Sequence, residues 1–140
     1  MKNKMKKYLH YQFPWQFLML IIFIQSSIGK IEMPDIEFEM ADKVIHFIVF
    51  GILGLLTARG MKNTYNTNIQ NNFVLLSISL SIIYGALDEI HQYFVPGRHA
   101  TVWDWVADTL GVIFFVWIYY RIIRRRQSEN EKLGKHRTVI

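Results

Sequence analysis

The chain contains no cysteine, so disulfides and thiolate chemistry are excluded. Proline is scarce, only 3 residues at Pro14, Pro34 and Pro96, which leaves long stretches free to stay helical. Charge is also scarce at 19%, against 51% hydrophobic residues that include 10 Phe, 7 Tyr and 4 Trp. No Gly-rich phosphate loop, no Gly-x-Ser-x-Gly elbow and no His-Glu-x-x-His pair occurs, so P-loop, serine-hydrolase and zinc-protease chemistry lack their signatures. Nor is there an internal repeat, beyond a loose echo between Asp42-x-x-x-His46 and Asp104-x-x-x-Asp108.

What is present is distributed unevenly. At 140 residues the chain is one domain. Its apolar residues gather in four blocks, 13–28, 44–58, 73–87 and 102–123, with charge between them and at both ends. A bilayer core about 30 Å thick needs roughly 20 helical residues, and each block reaches that length with its flanks. The expected fold is therefore all-α: a polytopic membrane protein, a bundle of four transmembrane helices at about 13–29, 40–59, 73–94 and 102–123. Ser26-Ser27-Ile28-Gly29 makes a poor cleavage site, so the first block reads as a retained helix. The 30–39 stretch, acidic and broken by Pro34, reads as an extended surface segment, and 124–140 as a basic tail.

Thirteen of the 16 basic residues fall before helix 1, between helices 2 and 3, or after helix 4, leaving Lys30, Lys43 and Arg98 on the opposite side. The positive-inside rule then places both termini inside. This sided pattern also counts against nucleic acid as a partner, because orientation and anionic headgroups account for the basic tails. The expected partner is the lipid bilayer, and the expected location a bacterial plasma membrane, crossed several times.

One stretch interrupts this plan, "LDEIHQYFVPGRHATVWDWVAD" at 87–108, with four carboxylates, two histidines and an arginine between two apolar runs. Topology turns it into the outer end of helix 3, a Pro96-Gly97 turn, and the outer start of helix 4 with a Thr101-x-x-Asp104 capping box. Helix 2 begins at the same side with Asp42, Lys43 and His46. Asp42 and His46 share a helical face, as do Asp104 and Asp108, and Asp88 shares one with His91 and Gln92. Small residues Gly51 and Gly54 on helix 2, and Gly111 one turn below Asp108, suit close helix approach. Ionisable groups facing lipid cost roughly 2.5–3.5 kcal/mol each on insertion scales, so these groups are expected to face one another.

Four uses fit such a cluster. It clasps the helix ends, with Lys43 and Arg98 neutralising Asp88, Glu89 or Asp104. It catalyses, with His46, Asp88, Glu89, Asp104 and Asp108 as the candidate acids and bases and His46 or His91 as shuttle. It holds a metal on Asp88, His91, Asp104, Asp108 and His46, although no metal motif supports this and no cofactor is expected. Or it binds a ligand, where Arg98 beside a helix N-terminus suits phosphate or carboxylate.

At these residues the chain resembles the VanZ-like family of small membrane proteins. The resemblance rests on "DKVIHFIVFGILGLL" at 42–56 and "DEIHQYFVPGRHATVWDWVADTLG" at 88–111. Asp42, Lys43, His46, Phe47, Glu89, Gln92, Pro96, Gly97, Arg98, Asp104 and Gly111 match its pattern, while Asp108 stands where many members have Asn. The family's namesake is associated with teicoplanin resistance, which implies a role at the envelope face, near glycopeptides and lipid-linked wall precursors. The phosphotransbutyrylase label carried by some members fits four apolar helices badly. The expected function is binding of an anionic or amphiphilic envelope ligand by Asp42, Lys43, His46, Glu89, Gln92, Arg98 and Asp104. A membrane enzyme acting on a lipid-linked substrate, and a purely structural protein, are the alternatives.

Overall fold

The computed structural model describes residues 2–29, 39–98 and 100–137. The described chain is helical without strands: α1 (Lys2–Tyr11), α2 (Phe13–Ser26), α3 (Glu39–Lys62), α4 (Thr67–Asn71), α5 (Phe73–Tyr93) and α6 (Val102–Arg137). The extended segment expected at 30–39 lies outside the described residues, apart from Glu39 at the start of α3.

Among the described residues, three helices are long and apolar enough to cross a membrane, at 41–62, 73–93 and 102–133. The span expected at 13–29 is a shorter apolar helix of 14 residues, about 21 Å long. Its contacts nevertheless extend along the bundle. Gln12 Nε2 donates to Gly60 O at the end of α3 (2.8 Å), Tyr84 Oη donates to Met19 O midway (2.6 Å), and Arg98 Nε donates to Ile28 O beyond α5 (3.0 Å). α2 therefore runs alongside α5 and opposite to α3.

The bundle is packed where side chains are small. α3 and α6 meet through Gly51 against Phe115 and Gly54 against Val112 and Val116, and at Gly111 the two backbones come together: a Cβ there would overlap the Phe47 carbonyl. On α5 the buried face reads Phe73, Ser77, Ser81, Gly85, Asp88, Gln92, a repeat of three to four residues that forms one stripe. Small side chains make such contacts possible in lipid, where no hydrophobic force drives helix association. Large apolar residues instead cover the outside, among them Ile45 and Ile52, Ile83 and Leu87, Ile113 and Trp117. A water-facing surface rarely carries so continuous an apolar coat. Its place here is against lipid.

The two ends of the bundle differ in chemistry. At one end cations lie over aromatic rings: Lys7 over Tyr65, Arg59 over Tyr11, Lys62 over Phe73, Arg121 over Trp117 and Arg124 over Tyr120. The long stems cover apolar surface and keep the charges at its edge. α6 also continues past 123, where the spacing of charge had placed the start of a tail, as far as Arg137. Glu, Lys, Arg and Gln in 124–137 are good helix formers, so leaving the apolar zone does not end the helix. The opposite end collects carboxylates.

Candidate functional site

Each carboxylate reaches this end by a local rule. Thr101 opens α6 by accepting from the Asp104 amide at its Oγ1 (3.3 Å), and the same hydroxyl donates to Asp104 Oδ2 (2.7 Å). In an ordinary capping box the acidic side chain would take the Thr backbone N–H in return. Here that N–H donates to Glu89 Oε2 of α5 (3.2 Å). Glu89 thereby ties the end of α5 to the start of α6. The second oxygen of Asp104 is left to face the bundle.

One turn deeper, Asp108 is fully buried, and its Oδ1 lies 3.0 Å from His46 Nδ1 of α3. Glu89 Oε1 approaches the same nitrogen to 3.9 Å. Asp108 Oδ2 turns toward Gly85, where an added Cβ would stand 3.2 Å from it. Two overlapping groups result: Asp42, His46 and Asp104, and His46, Glu89 and Asp108, each with one nitrogen or oxygen per residue within 4.8 Å of the others. Asp104 is 4% exposed, yet Asp104 Oδ1, Asp108 Oδ2 and Glu89 Oε1 have no hydrogen-bond partner among the described residues. Fully satisfied networks are the rule for buried polar atoms, and three such oxygens fall within this one cluster.

Thus the structure brings together Asp42, His46, Glu89, Asp104 and Asp108, with the half-buried Lys43 at the same helix start. Asp88 and Gln92 are buried beside them, and Gln92 Nε2 donates to Asp88 Oδ2 (2.8 Å). Two expectations are corrected. His91, grouped with Asp88 as shuttle or ligand, lies instead against α2, with Nε2 3.0 Å from Ser27 Oγ and its ring beside Phe23. Three residues along a helix do not return to the same direction, and at this level α5 has α2 on one flank and α6 on the other. His91 follows the first flank and Glu89 the second.

Arg98 is the larger correction. Its guanidinium donates to the Ile28 and Gln25 carbonyls at the end of α2 rather than to the described carboxylates of the cluster. The Gln25 carbonyl also accepts the Ile28 amide (3.3 Å), and the arginine fork adds a side-chain donor to the last carbonyls of the helix. Gly97, with φ 77°, makes the turn that aims it, a left-handed conformation suited to glycine. Arg98→Ala should therefore lower unfolding stability by about 1–2 kcal/mol without changing the cluster. Thermal unfolding in detergent measures this, and an unchanged melting temperature would contradict the assignment.

Three participants carried no motif. Ser81 Oγ and Thr109 Oγ1 are buried without hydrogen-bond partners. Trp105 Nε1 donates to Ile82 O (3.2 Å) and closes one wall. The four-residue spacing Ser77-Ser81-Gly85 was the available signal for Ser81. Between α5 and α6 lies a cavity of about 420 Å³ lined by Ala86, Glu89, Ile90, Tyr93, Phe94, Ala100, Thr101, Val102 and Trp105. Its walls are almost wholly apolar, and Glu89 is the one carboxylate among the described residues that line it. The cavity runs along the lipid-facing side, where Tyr93 and Val102 are highly exposed.

Neither the curated proteins nor the solved structures include one that matches the chain. The family model described as VanZ/LLP1 matches residues 2–124, which include every residue of the cluster. The chain belongs to the VanZ/LLP1 family of proteins.

Proposed function

We propose that this membrane protein binds an amphiphile of the bacterial cell envelope, with its apolar chain in the α5–α6 groove and its polar head at the cluster. The observation carrying this reading is Glu89, which lines an apolar groove of about 420 Å³ while its Oε1 approaches His46 within the buried cluster. An apolar cleft with few convergent polar groups is the usual form of a small-molecule site. The positive-inside orientation, with four spans and both termini in the cytoplasm, turns the groove to the outer leaflet of the plasma membrane. Lipid-linked wall precursors and glycopeptides meet there, consistent with a role in teicoplanin resistance. Arg98 takes no part in this reading.

Native mass spectrometry with an isoprenyl phosphate and the isoprenyl alcohol of equal length tests it. Both should bind the wild type. Ala86→Trp, which fills the groove and leaves every carboxylate in the sequence, should weaken both by about tenfold or more, or about 1.4 kcal/mol. Equal retention by wild type and Ala86→Trp would contradict groove binding.

The His46–Asp108 pair favours a second reading. A buried carboxylate 3.0 Å from an imidazole nitrogen orients the ring for acid–base work, here on a lipid-linked substrate. Product release abolished by His46→Ala, with substrate binding retained, would support this reading.

A further inference from the structure

We infer that His46, Glu89, Asp104 and Asp108, with Asp42 at the rim, form a binding site for one first-row divalent cation. The inference does not depend on the amphiphile reading. It starts from two groups of side chains that share His46, in each of which one ligand atom per residue lies within 4.8 Å of the others. Metal–ligand bonds of about 2.0–2.2 Å place ligands no more than about 4.4 Å apart across the ion, so a small inward adjustment closes either group. Three helices supply the residues, which lets the bundle hold them in place.

A second observation points to a ligand. Asp108 is 0% exposed and Asp104 4%, yet each keeps one carboxylate oxygen without a hydrogen-bond partner among the described residues. The Asp104 carboxylate belongs to the group with Asp42 and His46, and Asp108 to the group with His46 and Glu89. Clustered buried carboxylates are costly, and a doubly charged ion compensates several at once. The guanidinium expected to neutralise them is held by α2 instead.

The donor set narrows the ion. Carboxylates alone suit Mg²⁺ and Ca²⁺, whereas an imidazole beside them suits Zn²⁺ or Mn²⁺. His46 would ligate through Nδ1, the nitrogen facing Asp108 and Glu89 at 3.0 and 3.9 Å. That nitrogen must carry no proton when it binds, so loading releases to solvent any proton held there. Placed behind Glu89, the ion would also give an anionic headgroup in the groove a cationic contact.

Full-length protein in detergent, stripped with chelator and equilibrated with Zn²⁺ or Mn²⁺ alone, provides the test by elemental analysis. About one ion per chain is expected for the wild type, and below about one tenth for Asp104→Asn/Asp108→Asn, which removes a carboxylate from each group. Ala86→Trp should keep its ion, so loss of lipid binding and loss of metal are told apart. A wild type that retains less than about a tenth of an ion, or a double variant that retains the full complement, overturns the site. If the double variant fails to fold, X-ray absorption of the loaded wild type decides: a mixed nitrogen and oxygen shell supports the site, and oxygen alone overturns it.

Discussion

Gly111→Leu is expected to prevent assembly of the bundle. Even a Cβ at this position would overlap the Phe47 carbonyl, and backbone cannot turn aside as a flexible side chain can. α3 and α6 would have to separate, which opens the His46–Asp108 contact one turn above and the Gly54–Val112 contact below. Overpacking usually costs 1–3 kcal/mol; against backbone a loss of about 4 kcal/mol or more is expected. Size-exclusion profiles and unfolding curves in detergent would show little folded monomer. Gly54→Ala meets Val112 and Val116 at 3.1–3.3 Å, side-chain atoms among its neighbours, and should be milder. A Gly111→Leu variant with wild-type melting would mean that α3 and α6 do not pack as described.

The second large effect has the opposite sign. Neutralising the cluster with Glu89→Gln, Asp104→Asn and Asp108→Asn together should stabilise the metal-free protein and abolish its function. In chelator the wild type leaves Glu89 Oε1, Asp104 Oδ1 and Asp108 Oδ2 without hydrogen-bond partners. Amides of the same shape keep the acceptors that serve Thr101 and remove the burden of buried charge, a gain of about 2 kcal/mol or more. Thermal melts of the two proteins in chelator measure it. A clasp gives the reverse outcome, a protein that melts earlier because its pairs are gone. Strain or unsatisfied charge kept at the expense of stability is a mark of a working site.

Some of this was legible before any coordinates. The i, i+4 pairs Asp42–His46 and Asp104–Asp108 fix faces on α3 and α6, so their meeting followed from hydrophobic blocks and helical period alone. The Thr101-x-x-Asp104 start of α6 was also readable, because the bond lies within four residues. The diversion of the Thr101 N–H to Glu89 was not, since it depends on which helix lies alongside α5. The same ignorance of neighbours grouped His91 with Asp88. Arg98 was misread because its partners are carbonyl oxygens some 70 residues earlier, and backbone acceptors leave no mark in a sequence. The length of α6 past 123 went unread because charge marks the limit of the apolar zone, whereas the helix continues.

Absence of cysteine, the first feature of the chain, makes its central claim testable with one substitution. Ala100 lines the groove beside Thr101 and lies outside the helices, so Ala100→Cys introduces a lone thiol at the mouth of the site. In intact bacterial cells a membrane-impermeant maleimide should label it, and an added isoprenyl phosphate should slow the labelling about tenfold. Labelling that appears only after the cells are opened, or that the amphiphile leaves unchanged, would contradict an outward-facing ligand site.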